Sequence, residues 1–597
     1  MKKPSLKAPK LKTSRTEPGT EPGAEPFTEP FEVLSDGSGA EPRAGRPSFR
    51  AAALTGGGTR TGQSLLAAAV VLAAVFGIAE LRPPLTPAAA AGTGAATTAQ
   101  VERTSLVCPQ PLQGLTGSTS LTLFSPAGAK ATGGSAYLSD VAPPPAAPAP
   151  SASASAPAAP APSGAAPSGA ASPTSGGTPA GTPTGASGGA PSDAKVVLTK
   201  PGVPATGPAA NNDNAPGSAA VATGGYAPGF SVTQTTTVTD QSGVGMSGIN
   251  CAPSGTSFWF SGVSTAGDRV DYVSLVNADS APAVVDLKLY GPNGPIDNDA
   301  ANGITLPAGT SQDLRLPTFA SNVNDLALHV IARSGRVGAA VHAVDGTKGA
   351  DWIAPSVDPT ASVVLPGLPA DTSSARLVVA APGDDDADLK IQISGKNGWF
   401  TPAGHETIHV KAGMVAATDL QVAGQLPVAR GEVGAVRLTP TDPAHQTPVV
   451  AALRVDRSQN GRSDAAWISG SAPIGQRASL AENRGGGVGT LYLTSSGAAA
   501  KVRVSVSAGS GGGTPATKDV DVPAGATVGM QVPEPAGLNG VFGLTVETVS
   551  GGPVVAARML AVNVNNIPMF TVQAFRDDHS TVQVPRADQD PGVLIRP

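Results

Sequence analysis

Beyond residue 260 the chain alternates apolar and polar positions over short runs, the period of strands with one buried and one wet face. Val284-Val285-Asp286-Leu287-Lys288-Leu289, Ala387-Asp388-Leu389-Lys390-Ile391-Gln392-Ile393 and Lys501-Val502-Arg503-Val504-Ser505-Val506 are three such runs. About twenty residues after each comes a turn: Leu306-Pro307-Ala308-Gly309, Val410-Lys411-Ala412-Gly413 and Val522-Pro523-Ala524-Gly525, spaced by 104 and 112 residues. A third landmark recurs at spacings of 112 and 105: Val337-Gly338-Ala339-Ala340-Val341, Val449-Val450-Ala451-Ala452-Leu453 and Val554-Val555-Ala556-Ala557-Arg558. Aromatic strands at Phe258-Trp259-Phe260, Trp352-Ile353, Trp467-Ile468 and, more weakly, Met569-Phe570 read as module ends, and their tryptophans as core or inter-module packing. The expectation is an all-β ectodomain of tandem Ig-like β-sandwich modules. The alternative is a β-propeller in which each repeat supplies two blades, although blades usually repeat at about 40 to 50 residues.

A different pattern stands upstream. From Thr61 to Ala79 no charged residue occurs, and Leu65 to Ala79 is continuously apolar. As a helix this run covers about 28 Å, close to the roughly 30 Å hydrocarbon core of a bilayer. Ten basic residues precede it, and only Arg82 follows before Arg103, so the positive-inside bias places the N-terminus in the cytoplasm. The competing reading is a cleaved signal peptide with small residues at Ala88 to Ala91.

The resulting organisation is a disordered cytoplasmic tail (1–60), a transmembrane helix (61–81) and a Pro/Ala linker (82–98). A first β module (99–262) follows, with a disordered Ala/Pro/Ser/Gly-rich insertion at 141–195, then β-sandwich modules at 263–370, 371–485 and 486–597, the last with a C-terminal tail. Glu-Pro at 17-18, 21-22, 25-26, 29-30 and 41-42 denies the tail helix and ladder formation. The insertion has the composition of an extended linker or stalk. Cys108 and Cys251, the only two cysteines, flank it on the side assigned outside the membrane, where a disulfide persists, so they read as a pair.

The formal charge of -5 divides unevenly: the tail carries ten basic and seven acidic residues, net +3, leaving -8 for the rest. No nucleic-acid partner is expected of such a chain, and anionic wall polymers are poor partners by charge alone. His405-Glu406-Thr407-Ile408-His409 matches the zinc-protease pattern, but it aligns with strand positions of the other repeats. In a strand its histidines stand about 13 Å apart and share no metal. Gly185-Ala186-Ser187-Gly188-Gly189 matches a nucleophile elbow only in composition. Asp384-Asp385-Asp386 with Asp388, and Asp297 with Asp299, are the calcium candidates, against a reading as solvated hairpin loops. No catalytic residue, cofactor site or metal site is assigned.

Cys108-Pro109, Cys251-Ala252-Pro253, Phe258-Trp259-Phe260-Ser261-Gly262 and Leu287-Lys288-Leu289-Tyr290-Gly291, following a basic tail and one apolar segment, resemble an actinobacterial family of membrane-anchored extracytoplasmic proteins of unknown function. The resemblance covers most of the chain after residue 60. It implies a cell-envelope setting near glycosyltransferases and carries over no catalytic residues. The expected function is therefore a membrane-anchored, non-catalytic binding or scaffold protein whose partner is an envelope protein or a neutral cell-wall glycan. The alternatives are an envelope glycan hydrolase or an accessory subunit of an envelope glycosyltransferase.

Overall fold

The computed structural model describes residues 97–584 except 112–116, 129–131, 143–189, 210–214, 240–243, 347 and 421–433. The expected tail, the segment 61–81 and most of the insertion thus lie outside the described residues, as does the Gly185–Gly189 match. Among the described residues no helix is long and apolar enough to cross a membrane.

The described chain is all-β and antiparallel, and its strands fall into four consecutive sets built alike. Numbering the principal strands of a set 1 to 8, one sheet always has the order 1-6-3-4 and the other 5-2-7-8. In the second set these are Ser257–Val263, Arg269–Asn277, Ala283–Gly291, Ile304–Leu306, Thr310–Arg315, Leu326–Ser334, Gly338–Asp345 and Gly349–Ile353. The alternation read from the sequence is what lets the two sheets close on each other. Leu287 and Leu289 of strand 3 and Phe258 and Phe260 of strand 1 turn inward against Val273, Leu275, Val341 and Ile353 of the opposite sheet.

Each set pairs two antiparallel sheets, but their strand order is not that of an immunoglobulin domain, whose sheets join strands 1-2-5-4 and 3-6-7. Local periodicity specifies strands and buried faces, not the distant partner of each edge. The same blindness displaced the boundaries. Ser257–Val263, Val363–Leu368 and Arg477–Asn483 each pair with strand 6 of the set they open, so the limits at 262, 370 and 485 fall one strand late. Phe258-Trp259-Phe260 accordingly opens the second set instead of closing the first, whose eighth strand is Gly245–Asn250.

The four sets form a ring, not a string. Strand 8 of each set, namely Gly245–Asn250, Gly349–Ile353, Arg462–Ser469 and Ile567–Ala574, packs against strand 8 of the next, and the fourth packs against the first. Outward-facing residues of neighbouring sets meet in the seams between them. Trp259 and Ala327 of the second set meet Val378, Ala380 and Val450 of the third. At the next seam strand 1 of the third set carries a bulge, and Gly367 shows why: it sits at φ +94°, and a Cβ there would stand 2.9 Å from both Ala557 Cβ and Val572 Cγ1 of the fourth set. The arrangement places two sheets per repeat around one axis.

Two links close the ends. Cys108 and Cys251 are bonded, joining strand 1 of the first set to the residue after its strand 8 at a sequence separation of 143. In the chain-entropy picture such a loop stabilises by about 5 kcal/mol. Thr97–Gln100 and Thr581–Val584, from the two ends of the described chain, form a separate two-stranded ribbon.

Candidate functional site

The free edges of the four inner strands meet on the ring axis, where their peptide N–H groups have no ladder partner. Buried N–H groups demand acceptors, and two aspartates supply them. Asp351 Oδ1 accepts from Gly248 N (2.8 Å), Trp352 N (2.8 Å) and Thr571 Oγ1 (3.2 Å), joining the first, second and fourth sets. Asp464 Oδ2 accepts from Met246 N (3.0 Å) and Phe570 N (2.8 Å), and its Oδ1 accepts from Ala465 N (2.9 Å), joining the first, third and fourth. Gly349, at φ +119°, leaves room for this: a Cβ there would lie 2.2 Å from Asp464 Oδ1. Burial pushes both carboxyls well above the usual range, and the charge of Asp464 pushes Asp351 further, while the backbone hydrogen bonds oppose the shift. Asp351 Oδ2 has no partner. With Met246 and Met569, fully buried at the same depth, the two aspartates plug the axis.

On either side of the plug the axis opens. Where the inner strands begin, a cavity of about 210 Å³ is lined by residues that include Val244, Gly349, Ser463 and Ile567, one from each set. Where they end, a cavity of about 530 Å³ is lined by the last residues of these strands and, in the second to fourth sets, by the residues that follow them. That volume suits a small ligand. One part of its wall is apolar, with Phe258, Val357, Pro473 and the inter-set tryptophans Trp352 and Trp467. Another is polar: Asn250 donates to Ala574 O (3.2 Å), Arg576 Nη2 donates to Pro355 O (2.6 Å), and Asp577 Oδ1 accepts from His579 N (2.8 Å).

Behind this wall lies a feature peculiar to the fourth set. Val341 faces Ile353 across strands 7 and 8 of the second set, Leu453 faces Ile468 in the third, and Arg558 faces Gln573 in the fourth. Arg558 is fully buried and donates through Nη2 to Gln573 Oε1, while its Nε and Nη1 have no partner. Burial lowers its pKa to about 10. Three residues beyond those apolar or amide positions stand Ser356, Ser471 and Arg576, all on the cavity wall.

The residues singled out from the sequence lie elsewhere. Thr407–Val410 is a strand whose His409 stands opposite Asp388 in register and bonds it (2.8 Å), on the outer part of the third set, while His405 precedes the strand. Asp384, Asp385 and Asp386 are exposed, and Asp386 Oδ1 accepts from Ala412 N (2.8 Å). Asn298, between Asp297 and Asp299, caps a short turn by accepting from Ala300 N (2.9 Å). Among the described residues no three His, Cys, Asp or Glu side chains are grouped to hold a metal. Trp352 and Trp467 sit in seams, Trp352 with Ile249 of the first set and Trp467 with the core of the second, as inter-module packing requires. Asp351, Asp464, Arg558 and Arg576 were missed. Their signal was present: each is a charge in or beside an otherwise apolar strand carrying a repeat landmark.

No curated protein and no solved structure matches the chain. A family model described as "Family of unknown function (DUF5719)" matches residues 206–533, more than half of the chain and parts of all four sheet pairs, so the protein belongs to the DUF5719 family.

Proposed function

We propose that the protein is a binding or scaffold protein of the cell envelope, held by a single N-in membrane helix at 61–81 with its β ring outside the membrane, and that the larger axial cavity is its ligand site. The observation that carries the reading is convergence: the ends of the inner strands of all four repeats line one cavity of about 530 Å³ with a mixed apolar and polar wall. The Cys108–Cys251 bond agrees with an oxidising compartment. A neutral glycan or an envelope protein, including a neighbouring glycosyltransferase that the chain would serve as an accessory subunit, is the expected partner. The test is crosslinking of the tagged full-length protein in its native envelope, compared with an Ala472→Trp variant that fills the exposed cavity wall. Saturable capture lost in the variant supports the reading, and equal capture by both refutes it.

A second reading rests on two carboxylates in the same cavity, Asp358 and Asp577. A glycan hydrolase needs such a pair about 5 to 10 Å apart. Turnover of envelope glycans that is abolished by Asp577→Asn or Asp358→Asn would replace binding with catalysis.

A further inference from the structure

We infer that the ligand of the larger axial cavity is a small amphiphilic anion, a carboxylate or phosphate group on an apolar body, whose charged end is taken by Arg576. The inference deepens the binding reading and rests on it. Arg576 occupies the position that is Ser356 and Ser471 in the two preceding repeats, so the fourth repeat alone adds a cation to a wall that is otherwise hydroxyl-bearing there. Its side chain is exposed to the cavity and is held by one neutral acceptor, Pro355 O (2.6 Å). Among the described residues no carboxylate lies within ion-pair distance of it. The acids nearest in sequence are already engaged: Asp578 pairs with Arg477 (2.6 Å), and Asp577 accepts from His579 N (2.8 Å) and lies 3.7 Å from its ring. A guanidinium so placed has an open face and no counter-charge, and a bound oxyanion would supply one through two parallel N–H···O bonds.

Arg558 adds to the same field from behind the wall. It too has no carboxylate within ion-pair distance among the described residues. The only carboxylate acting on it from further away is Glu482, whose Oε1 already binds Arg484 (2.6 Å). Gln573, which accepts from Arg558, itself lines the cavity. The second half of the recognition is apolar: Phe258, Val357 and Pro473 offer a hydrocarbon or ring surface in the same cavity. The inference concerns the local field and stands apart from the acidic balance of the ring as a whole.

The experiment is titration of the full-length protein, in a non-ionic detergent, with three probes of similar shape: benzoate, phenyl phosphate and neutral benzamide. Calorimetry and the fluorescence of Trp352 and Trp467 serve as readouts. Expected is saturable binding of benzoate or phenyl phosphate at least about tenfold tighter than benzamide, corresponding to about 1.4 kcal/mol. Which of the two binds tighter identifies the oxyanion. Arg576→Gln should reduce the anion to the affinity of benzamide and leave benzamide unchanged, whereas Arg576→Lys should retain part of the preference. Equal affinity for benzoate and benzamide, or an anion affinity indifferent to Arg576→Gln, overturns the inference. Absence of binding by all three probes, with partner capture still lost in Ala472→Trp, refutes the anion and keeps the cavity. Capture indifferent to Ala472→Trp removes the binding reading itself. Unfolding midpoints within a degree or two of the parent establish that each variant is folded.

Discussion

The second and third repeats and the fourth fill one place in the fold in opposite ways. Across strands 7 and 8 the second and third pair Val341 with Ile353 and Leu453 with Ile468, while the fourth pairs Arg558 with Gln573. All six side chains are buried. The apolar solution is evidently available to this backbone, and a buried guanidinium with two unpartnered nitrogens is the costlier one. The fourth repeat departs from its siblings on the side that adjoins the larger axial cavity, which is also where it places Arg576. A charge that stability does not call for, beside a cavity, reads as a feature of recognition.

The comparison can be broken from the apolar side. Leu453→Arg places in the third repeat the residue that the fourth tolerates, but without a glutamine opposite. Ile468 offers it no acceptor, so a loss of about 3 to 5 kcal/mol is expected in denaturant unfolding. A loss below about 1 kcal/mol would mean that the ring accepts a buried charge at any repeat and that the fourth is not special.

The axial aspartates come next in size. Asp464→Ala orphans the N–H groups of Met246, Ala465 and Phe570, donated from three sets. An expected cost of about 3 kcal/mol, read as a lowered unfolding midpoint, follows from the loss of hydrogen bonds to a carboxylate. The opposite sign is expected when the fourth repeat is converted to the pattern of its siblings. Arg558→Leu with Gln573→Ile should be neutral or stabilise by about 1 to 2 kcal/mol, while weakening anion binding in the cavity. A strongly destabilised double variant would show that the polar pair supports the fold.

The smallest effect is a slope. The carboxyl of Asp351 is raised in the folded protein, so the folded state holds its proton more tightly than the unfolded chain. Its contribution is therefore complete below the ordinary carboxylate pKa near 4 and is lost as pH rises from there through the raised value. Asp351→Asn, which keeps an acceptor oxygen without the ionisation, should flatten the fall of stability with rising pH above about pH 4. An unchanged slope would place the titration elsewhere.

Much of this architecture is legible in the chain because the repeats share their alternation, their Pro-Ala-Gly or Lys-Ala-Gly turns and their Val-Val-Ala-Ala or Val-Gly-Ala-Ala strand. Those landmarks are local consequences of burying one face of a strand. Closure of the ring is not local. It depends on contacts such as Gly248 with Thr571, more than three hundred residues apart, and a pattern that specifies each sheet's faces is silent on what covers the second face. The site was hidden for a related reason. Asp351 and Asp464 precede Trp352 and Trp467 in apolar strands, so they register as exceptions to a strand pattern until the inner edges are seen to meet. His405 and His409, by contrast, present a familiar spacing that a strand cannot use.

The central claim is that four repeats close on one axis, and a cross-link between the first and the fourth tests it most directly. A Cβ at Gly248 would stand 2.7 Å from Thr571 Cγ2. With the native cysteine pair retained, Gly248→Cys with Thr571→Cys should yield a linked peptide on non-reducing mapping of protein from its own compartment. Two free thiols at positions 248 and 571, with Cys108 and Cys251 still bonded, would show separate modules on a string and contradict the ring.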